Sequence, residues 1–293
     1  MAPAPPPRPV ADPSHRVSAP QAGLFTRRTP RVVAAAKLRR RRERERTGRF
    51  LAEGPQAVRE ALARPGTVRE LFLTDRAAAR HPDLVATAGG AGVPVSRITE
   101  DTAGALTEAV TPQGVVAVCD RLDVPLATAL RQRPGLVAVL VEVTEPGNAG
   151  TVLRTADAAG AGAVIFAGPA VDPYNGKCVR ATAGSLFHLD LVRHERPAGA
   201  LAELRGAGLH VLAATGHGET DLDDLADSGA LAAPTAWVFG SEAHGLPAPL
   251  LDQADQRVRV PIHGRAESLN LGAAAAVCLY ASARAQRQKG RTS

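Results

Sequence analysis

Apolar and polar positions change their period along the chain, and the changes divide it. Up to about residue 28 no period is present: Pro3, the run Pro5 to Pro7, Pro9, Pro13, Pro20 and scattered serines leave too little apolar surface to bury, so a disordered extension is expected over residues 1–30. Val32 to Arg46 is compatible with a helix, and Thr47-Gly48 stops it. Phe50-Leu51 then reads as a strand, and Gln56 to Ala63 as a helix with Val58, Ala61 and Leu62 on one face. Strands at Leu71 to Leu73, Val93 to Ile98 and Val115 to Cys119 alternate with helices at Pro82 to Ala88 and Thr102 to Ala109. This pattern predicts a small α/β unit over residues 31–120.

A short helix, Pro125 to Arg131, occupies a linker over residues 121–133. Leu136 to Val143 is apolar except for Glu142, as a strand buried on both faces should be. Asn148 is placed to cap a helix running to about Ala159. Strands at Val164 to Phe166, Leu186 to Leu191 and Leu209 to Ala213 alternate with helices at Asn175 to Ala183 and Pro197 to Arg205. A polar excursion through Asp221 to Ser228 follows, then two β-branched runs, Trp237 to Phe239 and Val258 to Ile262, each ending in a Gly- or Pro-marked loop. Ser268 is a good N-cap for the Ala-rich last helix. The alternation predicts an α/β fold, a parallel sheet with helices on both faces over residues 134–293. Strands of such a sheet end on one side, where open α/β sheets bind ligands.

Charge and composition narrow the function. Residues 1–50 hold thirteen Lys and Arg against Asp12, Glu43 and Glu45, a net of +10 within a chain of +6. A local basic surplus fits a polyanion such as RNA, and it fits a solvated basic tail as well. Aromatic residues are 3%, which disfavours a surface that grips single-stranded bases on many stacking rings. Cys119, Cys178 and Cys278 are far apart and show no metal-like pairing, so they read as core residues in a reducing compartment. No uncharged apolar run approaches the ~18 residues that span a bilayer, and the start of the chain has no secretory apolar core. The expectation is a cytoplasmic protein that binds neither membrane nor metal.

Three stretches carry candidate chemistry. Asn148-Ala149-Gly150-Thr151-Val152-Leu153-Arg154 follows the buried strand, and a guanidinium in that small, apolar setting needs a partner. An N-cap plus an Arg holding a carboxylate such as Glu242 explains it equally. Gly240-Ser241-Glu242-Ala243-His244-Gly245-Leu246-Pro247 lets backbone approach a ligand and supplies a charge. Val260-Pro261-Ile262 leads to Ser268-Leu269-Asn270, a hydroxyl and an amide at a helix mouth. A fourth stretch, Asp172 to Ser185, carries Lys177 and Arg180, which suit either phosphate or a surface loop. Walker, G-x-G-x-x-G and His/Cys metal spacings are missing.

In this order the three stretches resemble the motifs of the SpoU (TrmH-type) RNA ribose 2'-O-methyltransferases of the SPOUT superfamily. The resemblance covers about Arg31 to Gln288, because Phe50-Leu51-Ala52-Glu53-Gly54 to Leu62 is similar to the ribosomal-protein-like RNA-binding domain of the rRNA-modifying members. It implies a deep trefoil knot in the C-terminal domain, a cofactor, S-adenosylmethionine, and a homodimer whose chains pack to form the active sites. By motif, Gly240, Val260, Ile262 and Leu269 would hold the cofactor, and Asn148, Arg154, Glu242, Ser268 and Asn270 would surround methyl and ribose. Arg39, Arg40, Arg41, Arg42, Arg44, Lys177 and Arg180 are the expected RNA contacts. Ala243 departs from the family, which commonly has Gly there. The implied activity is methyl transfer to a ribose 2'-hydroxyl of structured RNA, with ribosomal RNA ahead of transfer RNA. The alternatives are an antibiotic-resistance rRNA methyltransferase and a non-catalytic RNA-binding or assembly factor on the same fold.

Overall fold

The computed structural model describes residues 23–292, with side chains through residue 288. The extension expected to be disordered lies outside the described residues up to residue 22, but its end is tied down. Phe25 donates its N–H to the Arg97 carbonyl at 2.8 Å, and Arg27 pairs with Asp101 at 2.5 Å.

The single helix expected from Val32 to Arg46 is two, α1 (Pro30–Lys37) and α2 (Arg41–Thr47). The break falls where Leu38 is buried and where the carbonyls of Leu38 and Arg39 accept from the Arg44 guanidinium at 3.0 and 2.8 Å. Elements β1 (Arg49–Glu53), α3 (Pro55–Ala63), β2 (Val68–Thr74), α4 (Asp75–Arg80), α5 (Pro82–Gly90), β3 (Val95–Ile98), α6 (Glu100–Leu106) and β4 (Val115–Asp120) follow. They form a four-stranded sheet of order β1-β4-β2-β3. This sheet is mixed, not parallel: β4 runs against both neighbours, and only β2 and β3, joined by helices, are parallel.

The second sheet is built from β5 (Leu136–Val141), β6 (Ala163–Ala167), β7 (Asp190–His194), β8 (His210–Ala214), β9 (Thr220–Asp221), β10 (Thr235–Phe239) and β11 (Gln256–Arg259). Its order is β7-β6-β5-β10-β8-β11-β9, and every pairing is parallel, as the alternation predicts. The helices are α7 (Leu126–Arg131), α8 (Pro146–Ala159), α9 (Gly176–Ala181), α10 (Pro197–Gly206), α11 (Leu222–Asp227), α12 (Ala248–Leu251) and α13 (Leu271–Thr292). Leu136, Ala138 and Leu140 of β5 face one apolar cluster, and Val137, Val139 and Val141 face the other. That period of two explains why this strand reads as continuously apolar. It ends two residues earlier than expected, because Glu142 takes a left-handed φ of 52°.

The strand expected at Leu186 to Leu191 is displaced. Ser185–Phe187 forms a 3-10 turn whose apolar side chains are buried, and the strand proper, Asp190–His194, lies at the sheet edge. An edge strand with one half-wet face lacks the apolar run that marks a central one. Near the C-terminus α13 packs on α8, and the fully buried Trp237 of β10 donates its indole N–H to Ser282 Oγ at 2.9 Å. Phe50 of β1 meets Tyr174 and Phe187 with ring centroids 4.6 and 6.1 Å away, so one continuous core joins the two sheets.

Candidate active site

The loops after β8, β10 and β11 leave the parallel sheet at its carboxyl edge and enclose a cavity of about 450 Å³. Next to them, β5 and β10 are neighbours although β5 continues into β6 on its other side. The strands stay parallel, but the connections from β5 and from β10 leave to opposite sides, and the crevice beside such a switch point is the expected ligand site of an open α/β sheet. Gly240, Glu242, Val260, Ile262, Ser268, Leu269 and Asn270 all line the cavity. Phe239, Val258 and Leu271 add apolar wall, and Thr215, Ser241 and Glu267 add polar groups. Gly240 must be glycine for a packing reason: a Cβ there would overlap the backbone of Gly245 and Leu246.

A chain of hydrogen bonds fixes the polar mouth. The Gly272 N–H donates to Asn270 Oδ1 at 2.8 Å, Asn270 Nδ2 donates to Asn148 Oδ1 at 3.2 Å, and Asn148 Nδ2 donates to Glu242 Oε1 at 2.7 Å. Each amide is thereby oriented, and Glu242 presents Oε2 without a partner among the described residues. The capping roles differ from expectation. Asn270, not Ser268, caps α13. The cap of α8 is Glu145, whose carboxylate accepts the Asn148 N–H at 2.7 Å, so α8 starts at Pro146 and the Asn148 side chain is free to face Glu242. The Lys177 ammonium at 2.5 Å and that N–H hold the Glu145 carboxyl below the usual carboxylate range.

Arg154 is not in the cavity lining. It sits exposed on the third turn of α8, with no hydrogen-bond or ion-pair partner among the described residues. The alternative reading, in which Arg154 holds the Glu242 carboxylate, is not met, and the apolar surroundings read from its neighbours are replaced by solvent. The reason is helical phase: Val152, Leu153 and Ala156 point into the core, while Thr151, Arg154 and Ala158 form an outer stripe.

The arginine-rich segment is less available than its composition suggests. Arg44 is buried and bonded to Asp172, which removes it from any RNA surface. Arg41 pairs with Glu45 at 2.8 Å, Arg39 with Glu108 at 3.7 Å and Arg180 with Glu53 at 3.0 Å. Arg40 and Arg42 are exposed and carry no such partner among the described residues. Sequence reasoning missed the loop from Ala214 to Gly216, although Thr215-Gly216 follows a strand of the same parallel sheet and so had to reach the same edge.

Comparison with known proteins agrees with this geometry. The SpoU rRNA Methylase family profile matches residues 135–280, and the MRM3-like substrate binding domain profile matches residues 29–117. The 23S rRNA (guanosine(2553)-2'-O)-methyltransferase RlmP of Bacillus subtilis is 37% identical over 244 residues, 83% of this chain and 92% of that one. This chain belongs to the SpoU rRNA methylase family.

Solved structures of this SpoU group carry the same architecture. The AdoMet-bound rRNA methyltransferase from Sinorhizobium meliloti superposes with a TM-score of 0.75 at 31% identity, covering 87% of this chain and 95% of that one. The SpoU methyltransferase AviRb from Streptomyces viridochromogenes, in complex with AdoMet, gives 0.77 at 30% identity over 89% of this chain and 100% of its own.

In this SpoU member the three cysteines are buried thiols, and burial pushes Cys119 and Cys178 up strongly and Cys278 up to about 12. Among the described residues no cluster of His, Cys, Asp or Glu could hold a metal ion, and no helix is long and apolar enough to cross a membrane.

Proposed function

We propose that the protein transfers a methyl group from S-adenosylmethionine to the 2'-hydroxyl of a ribose in ribosomal RNA. The observation that carries this is the Asn270–Asn148–Glu242 relay set at the mouth of the cavity. The lining suits the cofactor: apolar walls from Phe239, Val258, Val260, Ile262 and Leu269 fit a purine, and the Glu242 and Glu267 carboxylates suit a sulfonium cation. When bound, S-adenosylmethionine supplies an electrophilic methyl group. Gly240, Val260, Ile262 and Leu269, which line the cavity, would hold it there.

The protein's task is to orient a hydroxyl and take its proton. Asn148 fixes the Glu242 carboxylate through Oε1, and Oε2 is the oxygen that would accept the ribose hydroxyl proton. Ser268 and Asn270 hold the ribose edge. An arginine, protonated up to pH ~12, is poorly suited to be the base, so Arg154 stabilises the developing alkoxide or the adjacent phosphate.

Because Arg154 lies outside the cavity of its own chain, it acts in the site of a second copy. Exposed Val277 and Tyr280 on α13, a helix that packs on α8, support a homodimer through this side of the molecule. The return of α13 onto α8 supports a trefoil knot in the region from residue 134 onward. Residues 31–120, joined by a linker at 121–133, act as the RNA-substrate unit, and the protein works in the cytoplasm. Mapping ribose methylation across rRNA from cells with and without this protein tests the reading. A single lost 2'-O-methyl site is expected; no lost site on any rRNA, or no S-adenosylmethionine binding by calorimetry, sinks it.

A further inference from the structure

The geometry points to Arg44 and Asp172 as positioning residues that hold the RNA-substrate unit at a fixed reach from the methyl-transfer cavity, and so select the nucleotide that is modified; this rests on the methyltransferase reading above. Arg44 belongs to α2, next to the unpartnered Arg40 and Arg42. Asp172 belongs to the loop between β6 and α9 of the parallel-sheet unit. Arg44 Nε and Nη2 lie 2.8 and 2.7 Å from Asp172 Oδ2. Nη1 donates to the Leu38 and Arg39 carbonyls, and Asp172 Oδ1 accepts the Tyr174 N–H at 3.0 Å. Both side chains are nearly closed to solvent, at 4% and 6% exposure.

A buried ion pair is poor evidence of stabilisation, because well-packed apolar residues of similar volume are commonly as stable or more so. What such a pair supplies is direction: every guanidinium nitrogen has an acceptor, so one relative orientation of α2 and the loop satisfies them all. The loop passes that orientation on. Tyr174 is 1% exposed, packs on Phe50 and accepts the Leu122 N–H at 2.7 Å through its hydroxyl. Asn175 caps α9, and Lys177 on that helix reaches Glu145, the cap of α8 that also holds the Asn148 N–H. From the basic helix to Asn148 the path is therefore two ion pairs and six residues of chain. Helices α8 and α9 pack with backbone close to backbone at Gly150, where a Cβ would lie 2.6 Å from the Cys178 carbonyl.

The same interface is closed elsewhere by Arg180 to Glu53 at 3.0 Å, by Arg64 Nη1 to the Phe187 carbonyl at 3.2 Å and by His188 to Glu60 at 3.1 Å. A tether of flexible linker would let the RNA unit present many nucleotides; this clamp presents one.

The test is the double variant Arg44→Met/Asp172→Leu in the full chain, which keeps volume and removes direction. Its melting temperature and S-adenosylmethionine affinity should stay near wild type. On an rRNA transcript KM should rise about tenfold or more with kcat little changed, since a surface no longer preorganised for the RNA loses affinity, and methyl groups should appear at extra nucleotides. An unchanged KM with the single wild-type site retained overturns the inference, as does a KM change matched by a proportional loss of melting temperature. If the double variant does not fold, Glu53→Gln, which breaks the half-buried Arg180 pair of the same interface, is read by the same criteria. Spin labels at Arg42→Cys and Arg284→Cys, diluted into unlabelled chain, separate the clamp from the chemistry; the native thiols are buried. One narrow distance that broadens in the double variant supports the clamp even if no rRNA is methylated. Equal distributions in both proteins refute it even if rRNA is methylated.

Discussion

The basic helix α2 and the carboxyl edge of the parallel sheet make opposite use of charge. In α2 the charges are many and mostly matched: Arg41 by Glu45, Arg46 by Glu43 and Arg44 by Asp172. At the sheet edge and on the α8 that leaves it the charges are few, and among the described residues Arg154 on α8 has no partner and Glu242 at the edge keeps one oxygen open. Charge density thus overstates how much of α2 is left for RNA, and it understates α8. The groups a fold leaves unsatisfied in a solvent-facing crevice are better guides to chemistry than the groups it has in number.

The strongest way to break this contrast is to remove the unmatched arginine. Arg154→Ala should lower kcat by about 10³-fold with S-adenosylmethionine affinity intact, the scale of losing one aligned charge-stabilising donor. Arg154→Lys should recover little, because a point charge does not replace a fork. If the residue serves a second chain, mixing Arg154→Ala with Gly240→Ala subunits restores activity, since one of the two sites then has both an intact cavity and an intact arginine. Failure of the mixed dimers to exceed either parent places Arg154 in its own chain's site.

Gly240→Ala tests the other half of the edge. The added methyl meets the backbone of Gly245 and Leu246, not a movable side chain, so the loop must deform. Calorimetry should show cofactor affinity reduced about 100-fold, corresponding to ~2.7 kcal/mol, while far-ultraviolet dichroism stays native. Unaltered affinity would separate this loop from the cofactor.

Much of this was legible in the sequence, for identifiable reasons. β5 declares itself because both of its faces are buried, and the motif loops declare themselves because Gly240 and Gly245 interrupt apolar runs. Other features depend on distant partners. The break at Leu38 and the burial of Arg44 require Asp172, 128 positions away. Asn270 displaces Ser268 as the cap only because its amide also reaches Asn148 from α8. The exposure of Arg154 follows from the phase of α8, set by core partners of Val152, Leu153 and Ala156, and the glutamate cap at Glu145 lies three residues earlier than the Asn signal suggests.

Within α2 the contrast predicts a division among arginines. Arg40→Ala/Arg42→Ala should weaken rRNA binding about tenfold at moderate salt and shallow the salt dependence by about two ions, as two lost phosphate contacts would. Arg41→Ala, which first has to surrender Glu45, should cost less. Filter binding across a salt series decides; equal losses for the three positions would mean that intramolecular pairing does not govern access.

The smallest expected effect lies where the two units meet around an imidazole. His188 Nδ1 is 2.8 Å from Asp157 Oδ2 on α8, and Nε2 is 3.1 Å from Glu60 Oε2 on α3. The Asp157 hydrogen bond, and after it the one to Glu60, raises the histidine above its ordinary value against a desolvation cost. A raised folded-state value stabilises the fold fully at pH below the unfolded value of ~6.5, and the contribution fades as pH rises through the folded one. With the side chain 43% exposed, solvent screening keeps the whole effect under about 1 kcal/mol. Urea unfolding of wild type and His188→Gln should therefore show the wild type's advantage at pH 5.5 shrinking by pH 8.5. An advantage that grew toward alkaline pH would reverse the sign, and would make the neutral ring the form that joins Asp157 to Glu60.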